Sequence, residues 1–407
     1  MNRIEIIKNH LLFSQLQPQP QQKQFNNNNN VLKEMENNKI KIIEYKNGCK
    51  RIILNRSEAL NSLTMEMLKF LSEKLKEFNN DDNCKFVIIN SSTEKSFCSG
   101  GDIKEFSQLS RSSAGVNEFI RVEYAMDHLI HTFNKPILSF VNGIVMGGGV
   151  GLSIHSSHRI IGDNVQWAMP ENRIGYFPDV GTSYFLSRLG SIGLYLAMVG
   201  VKINSKDLIN VKLATHYIPN ELFERTLEEL CNDDDIEGYR QIEFILNKYR
   251  KTLYPDKESS HLVLYQSIIN RCFNNKEFKS VKEILNQLKV EIENVDNKNN
   301  KDEIEWASKT LSILLDQLCP TSVCVSFEII KRALQMNIDQ IFQMEVRVGT
   351  RLGNRQDLTQ GVFKTLIDKT HKPIYSPSSI YDINQSFIDS FFLPFDDGDE
   401  KKEFSII

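Results

Sequence analysis

No apolar run in this chain is long enough to cross a bilayer: the longest, such as residues 137–146, fall well short of the ~20 residues a spanning helix needs. No membrane is expected among its partners. Positive charge is never gathered into a block, and the formal net charge is −3, so nothing suggests a surface that tracks nucleic-acid phosphates or anionic lipid. Cysteine is sparse and odd in number, seven residues at positions 49, 84, 98, 231, 272, 319 and 324. None forms a CxxC pair or stands at ligand spacing from a histidine, which argues against a disulfide framework or a zinc site and for free thiols in a reducing compartment. No metal is expected. A G-x-S-x-G elbow is also missing, so His128, His131, His155, His158 and His216 do not read as triad partners of Ser139 or Ser153.

What is present is length and alternation. At 407 residues the chain exceeds the ~250 to 300 at which one core usually stops growing, so a large domain with a helical appendage, or two subdomains, is expected. The first thirty residues hold Arg3, Lys8 and Lys23 against a single acid, Glu5, and run into QLQPQPQQKQ and five asparagines. Residues 1–38 read as a disordered segment, either a mitochondrial transit peptide, for which arginine is scarce, or a polar tract without an address. Residues 40–54 read as a hairpin about Asn47-Gly48. Met67, Leu68, Leu71, Leu75 and Phe78 stand at helical spacing. Strands are expected at 86–90, 137–145, 158–162 and 165–169, with helical segments between, which is the alternation of an α/β core spanning residues 39–235. From about 190 onward only helices are expected, at 191–199, 204–211, 220–231, 236–251, 260–271, 276–293, 303–318 and 323–346. Residues 236–407 form a helical C-terminal region.

The most informative stretch is Gly143 to Leu189. There Gly147-Gly148-Gly149 follows an apolar strand and opens a helix, whose N-terminus offers unpaired N–H groups and a positive dipole end to a negative oxygen. Phe97-Cys98-Ser99-Gly100-Gly101-Asp102 forms a second glycine turn after the strand 86–90. Two backbone donors from two turns can make an oxyanion hole. Pro170-Glu171 and Pro178-Asp179 place two acids soon after, and neighbouring acids with separated pKa values divide into base and acid. The other reading of each is a surface loop carboxylate for Glu171 and a helix N-cap for Asp179. Cys98 has no arranged base beside it and reads as a small buried apolar residue.

LNRSEALNSL (54–63), SFCSGGDIKEF (96–106), KPILSFVNGIVMGGGVGLS (135–153) and AMPENRIGYFPDVGTSYFLSRL (168–189) together resemble the enoyl-CoA hydratase/isomerase (crotonase) superfamily, in its order. The last block, with RVEY (121–124), LATHYI (213–218) and QGVFKTLIDKTHKPIYSP (360–377), is similar to the 3-hydroxyisobutyryl-CoA hydrolase branch. The resemblance implies a crotonase-like fold of stacked ββα units and a mitochondrial, otherwise cytoplasmic, acyl-CoA thioesterase of valine breakdown. No cofactor is implied beyond the CoA carried by the substrate, and a homo-oligomer is common in the superfamily. It further implies Glu171 and Asp179 as catalytic acids, Gly101 and Gly148 as oxyanion donors, and Glu123 as the acceptor of a substrate hydroxyl; the other reading of Glu123 is an exposed helix acid. Glycine suits the donor positions because a Cβ would obstruct the approaching carbonyl. The hydratase pattern carries a glutamate where this chain has Gly151, which disfavours water addition to a double bond. Thr182, Ser183 and Asn172-Arg173 depart from the branch. Arg56 or Lys104 are candidates for the CoA phosphates. Two alternatives stand beside the thioesterase: an enoyl-CoA hydratase or isomerase, and a non-catalytic, ribosome-associated mitochondrial protein of the same fold.

Overall fold

The computed structural model describes residues 30–37, 39–102, 104–106, 113–253, 258–274, 276–293, 301–368 and 371–395. Two sheets stack. The larger has the order β1-β2-β3-β4-β6-β8-β10, from β1 (Val31–Asn37), β2 (Ile40–Tyr45), β3 (Cys49–Leu54), β4 (Phe86–Ser91), β6 (Ile137–Val141), β8 (His158–Ile161) and β10 (His216–Tyr217). The smaller joins β5 (Ser96–Cys98), β7 (Ile144–Met146) and β9 (Gln166–Ala168). Strands β1 to β3 pair antiparallel, and every later pair in both sheets is parallel. Each repeat gives one strand to each sheet and then a helix: β4-β5 and α2 (Ser113–Thr132), β6-β7 and α3 (Gly148–Ile154), β8-β9 and α4 (Thr182–Leu186). Helix α1 (Met65–Asn80) precedes them, its N-terminus capped by Thr64, whose side chain accepts from the Met67 N–H. Its buried face is the Met67, Leu68, Leu71, Leu75 and Phe78 stripe that the spacing predicts.

The apolar run 137–145 is not one strand. It breaks at Asn142-Gly143 and feeds both sheets, with Gly143 at φ 66° and so close to the neighbouring turn that a Cβ would lie 2.3 Å from the Lys95 carbonyl oxygen. Residues 31–37, expected within the disordered N-terminal segment, form the edge strand β1 on β2. Their charged composition hid a ladder in which backbone groups pair and Lys33 and Glu34 meet Glu44 and Lys41 across the strands. The rest of that segment, residues 1–29 with the transit-peptide question, lies outside the described residues.

Helices follow: α5 (Ser191–Val199), α6 (Ser205–Asn210), α7 (Asn220–Asn232), α8 (Tyr239–Tyr249), α9 (His261–Leu264), α10 (Gln266–Cys272), α11 (Val281–Glu293), α12 (Lys301–Asp316), α13 (Pro320–Ala333), α14 (Ile338–Gly353), α15 (Gln356–Val362) and α16 (Gln385–Asp389). Three corrections apply to the all-helical expectation, the first being that the segment 260–271 is two short helices, α9 and α10, parted at Tyr265. Strand β10 interrupts the helical run, because His216 and Tyr217 pair with β8 at the sheet edge. The segment 323–346 is two helices, since Asn337 and Gln340 build a capping box that starts α14 afresh. One buried apolar cluster runs from Ile40 to Phe392 and crosses residue 235 without a break. A second, smaller cluster covers the opposite face of the large sheet, where Phe86, Ile88, Leu138, Phe140 and Ile160 meet Leu227, Leu230, Ile242 and Leu246 of α7 and α8. Helix α14 packs on α2, and this contact brings the C-terminal region to the glycine turns.

Candidate active site

The two glycine turns abut. Gly100 adopts φ 103° and Gly147 φ 49°, and a Cβ on Gly100 would lie 3.1 Å from the Met146 carbonyl oxygen and 3.5 Å from the Gly148 nitrogen. Leu63 locks the first turn by accepting from the Asp102 N–H at 2.7 Å and donating to the Gly100 carbonyl at 2.8 Å. Arg56 ties the same region together, with Nη1 donating to Asp102 Oδ2 at 2.7 Å and to the Ser62 carbonyl at 2.9 Å. Its guanidinium is thus engaged within the fold, while Lys104 is exposed. Gly101 and Gly148 stand on adjoining turns, as an oxyanion hole requires.

Acids surround this point. Glu123 and Asp127 lie one turn apart on α2, both buried. A Cβ at Gly148 would meet Glu123 Oε1 at 2.1 Å, so the first group excluded by a side chain there is the Glu123 carboxyl itself. Glu171 opens a 3-10 turn, Glu171–Ile174, and its Oε1 lies 3.0 Å from where a Gly147 Cβ would be. Asp179 Oδ2 accepts from the Tyr124 hydroxyl at 2.7 Å, and the Tyr176 hydroxyl stands 3.5 Å from that of Tyr124. Asp179 is not the side-chain cap of α4, whose N-cap is Gly181 without a side-chain bond.

The loop carrying Asp179 is held from three sides. Val180, a β-branched residue, sits at φ 53°, a conformation that persists only when its surroundings impose it. His155 Nε2 lies 2.7 Å from the Val180 carbonyl oxygen, and Thr182 donates to the Asp179 carbonyl at 2.7 Å. Glu345, from α14, accepts from the Gly181 N–H at 2.7 Å and the Ser183 hydroxyl at 2.5 Å. The departures Thr182 and Ser183 are therefore polar pins of this loop. Asn172 is also structural: fully buried, it donates to the Ala197 and Met198 carbonyls and accepts from Ser326.

Burial dominates the titration of these acids. It pushes Asp179 up to about 7 against the opposing Tyr124 bond, and Glu345 up to about 8 against the bonds from Ser183 and Gly181. Glu123 and Glu171 are raised well above the usual carboxylate range by burial and then by the charge of Asp179; for Asp127 burial is followed by the charge of Glu123. Cys98 is buried, its thiol pushed up to about 12 by burial, and so is not poised as a nucleophile. Ser139 bonds to Ser156, and Ser153 to the Gly149 and Val150 carbonyls, so neither hydroxyl faces a histidine. Among the described residues no group of three or more His, Cys, Asp or Glu is placed to hold a metal ion.

All five residues singled out in the sequence, Gly101, Gly148, Glu123, Glu171 and Asp179, converge here, and Glu123 is 6% exposed rather than a surface helix acid. Two acids escaped the sequence reading. Asp127 had a signal, its spacing of four from Glu123 on a helix with a buried face. Glu345 had a fainter one, an acid on the stripe of Ile341, Phe342 and Val348.

Two stacked sheets built from ββα repeats, with paired glycine turns ringed by buried acids, define a crotonase-type protein. The chain belongs to the enoyl-CoA hydratase/isomerase family, whose model matches residues 49–392. Among its relatives is a mitochondrial 3-hydroxyisobutyryl-CoA hydrolase of Danio rerio, 35% identical over 353 residues that make up 86% of this chain and 88% of the relative. The protein of that name from Dictyostelium discoideum is 35% identical over 378 residues, 89% of this chain and 93% of its own. The human one is 29% identical over 360 residues, 88% and 89% of the two chains. Of solved structures, a carnitinyl-CoA dehydratase from Mycobacterium thermoresistibile superposes with a TM-score of 0.78 at 26% identity, covering 91% of this chain and 99% of that one. An enoyl-CoA hydratase from Rhodobacter sphaeroides gives 0.77 at 27%, covering 90% and 99%.

Proposed function

We propose that this chain is a mitochondrial thioesterase that hydrolyses 3-hydroxyisobutyryl-CoA to 3-hydroxyisobutyrate and CoA, a step of valine breakdown. The observation that carries the reading is the carboxyl of Glu171 set against Gly147, beside two abutting glycine turns. The names of the relatives at 35% identity support the same reaction.

The thioester oxygen accepts from the N–H groups of Gly101 and Gly148, which stabilise the negative charge it gains when the acyl carbon is attacked. Glu171, in its deprotonated form, either attacks the acyl carbon or takes the proton of a water that attacks the carbon directly. Attack by the carboxylate gives a mixed anhydride that water then hydrolyses to 3-hydroxyisobutyrate and free Glu171. Burial makes it the more basic in either role. The bond from acyl carbon to sulfur breaks as the oxyanion collapses, and the CoA thiolate leaves and is protonated. Asp179, pushed up to about 7, exchanges protons readily near neutral pH, and the Tyr124 hydroxyl fixes its orientation. This chemistry draws on the chain's own acids and backbone, with CoA entering as part of the substrate. The hydratase and dehydratase names of the superposed structures stand at lower identity, and α3 carries Gly151 in place of an acid.

The test is free-thiol release by the purified full chain from 3-hydroxyisobutyryl-CoA, isobutyryl-CoA and a 2-enoyl-CoA, the last also followed for loss of its conjugated double bond. The hydroxylated ester should be cleaved at least tenfold more efficiently in kcat/KM than isobutyryl-CoA, because a site built for a hydroxyl is left with an unpaired polar group by the analogue. Hydration outpacing thiol release would move the chain to the hydratase reading. Absence of both activities would move it to the non-catalytic one.

A further inference from the structure

Helices α2 and α3 meet along a face that the thioesterase mechanism uses only in part. From α2 come Glu123 and Asp127, four residues apart and so on one side of the helix. From α3 come Gly148 and Gly151, three apart and likewise on one side. Each acid lies over one glycine. A Cβ at Gly148 would stand 2.1 Å from Glu123 Oε1, and one at Gly151 would stand 2.7 Å from Asp127 Oδ2 and 2.9 Å from Oδ1. The Asp127 carboxyl occupies the space that a side chain at position 151 would fill.

We propose that Asp127 is a specificity-determining residue for the acyl group: with Glu123 it forms a two-carboxyl wall beyond the oxyanion turn that hydrogen-bonds a hydroxyl on the acyl chain. The inference rests on the thioesterase reading and adds to it the group that reads the substrate. Gly151 lies three residues from Gly148, about 4.5 Å along the helix at ~1.5 Å per residue. An acyl chain held by its carbonyl at the Gly148 N–H and running along this face brings a substituent on its third carbon to the level of Asp127. A surface carboxylate would be solvated there, but Asp127 is fully buried, and neither of its oxygens has a hydrogen-bond partner among the described residues. The same is true of Glu123 Oε1. Buried polar atoms are nearly always paired within a fold, and leaving them unpaired is costly. Two unpaired acids side by side, next to the reacting centre, are the groups a polar ligand would satisfy. Burial and then the neighbouring Glu123 charge raise Asp127 above the usual carboxylate range, and a carboxyl in its protonated form offers both a donor and an acceptor, the complement of a hydroxyl.

The experiment compares kcat/KM for 3-hydroxyisobutyryl-CoA and isobutyryl-CoA in the full-length parent and in Asp127→Leu, Asp127→Asn and Gly151→Ala, each checked by circular dichroism and thermal melt. The ratio of the two values should fall about tenfold or more in Asp127→Leu. Asp127→Asn, which keeps a donor and an acceptor, should retain more of it. Gly151→Ala, whose methyl group presses on the carboxyl from the opposite helix, should lower the ratio severalfold, and it carries the test if Asp127→Leu does not fold. A folded Asp127→Leu, or in its place Gly151→Ala, in which both esters slow together and the ratio stays at the parental value would overturn the assignment and leave Asp127 a structural acid. A parent that cleaves both esters but does not prefer the hydroxylated one overturns the substrate reading itself, a result visible before any variant is made.

Discussion

Glu243 and the acids of the active site are the same kind of group in two opposite settings. Glu243, on α8, lies between two histidines of the sheet edge, its oxygens 3.2 Å from His158 Nε2 and 3.3 Å from His216 Nε2. Burial pushes it up, but the two imidazoles outweigh burial and hold it well below the usual carboxylate range. Asp179 and Glu345 have no such basic partner among the described residues: Asp179 is met by a tyrosine hydroxyl, and Glu345 by a serine hydroxyl and a backbone N–H, whereas Asp102 in the first glycine turn is paired with Arg56. Those neutral donors leave burial dominant, and the acids rise. Burial does not by itself make a carboxyl reactive. What separates the two places is whether a basic partner has been supplied, and withholding it keeps a proton mobile near neutral pH.

Removing the charge from each kind of acid should give opposite signatures. Asp179→Asn should lower kcat by about 10²-fold or more while leaving KM close to parental, since the loss falls on proton transfer. Near-parental turnover would reduce Asp179 to a structural residue of the loop. Glu345→Ala should cost about tenfold in kcat and shift the pH–rate profile, because Asp179 loses the contact that fixes its loop, whereas Glu345→Gln should recover much of the rate. A melt lowered with rate and profile untouched would make Glu345 purely structural.

Stability against pH should separate the two settings by sign. The raised acids keep their protons in the folded chain to about 7 for Asp179 and about 8 for Glu345, while unfolded they lose them near the ordinary carboxylate values of 3.8 and 4.5. The folded state therefore binds more protons across that window, and this contribution is complete below about pH 4 and lost by about pH 8. Denaturant midpoints should fall as pH rises, less steeply in Glu345→Gln at the upper end; midpoints as steep in that variant as in the parent would contradict the assignment. Glu243 contributes the other way, with stability present above its unfolded value of 4.5 and lost in acid. The smallest effect on activity is expected at Glu243→Gln, which should cost roughly 1 to 3 kcal/mol of stability and leave thiol release near the parental rate. A large fall in its turnover would erase the distinction between the two settings.

Much of this geometry was legible in the chain. Strands β4, β6 and β8, the helix stripe from Met67 to Phe78 and both glycine turns follow from periodicity and from residues that tolerate close backbone approach. The family motifs then pointed to five site positions that the fold brings together. The missing parts depend on distant packing. Glu345 reaches the Asp179 loop across 164 residues of sequence, and no local pattern reports such a contact. Asp127 is distinguished by what faces it, a glycine on another helix. The split of residues 137–145 between two sheets was hidden because both halves are equally apolar, and β1 was hidden because its pairing uses backbone groups that composition does not reveal.

The central claim is that uncompensated buried acids beside the glycine turns cleave a thioester, and it is tested most directly by CoA release from 3-hydroxyisobutyryl-CoA by the parent and by Glu171→Gln, both shown to be folded. The parent should release free thiol with every turnover, and the variant should be slower by about 10²-fold or more while still binding the ester. A folded parent that releases no thiol, or a Glu171→Gln variant that releases it at the parental rate, would contradict the account.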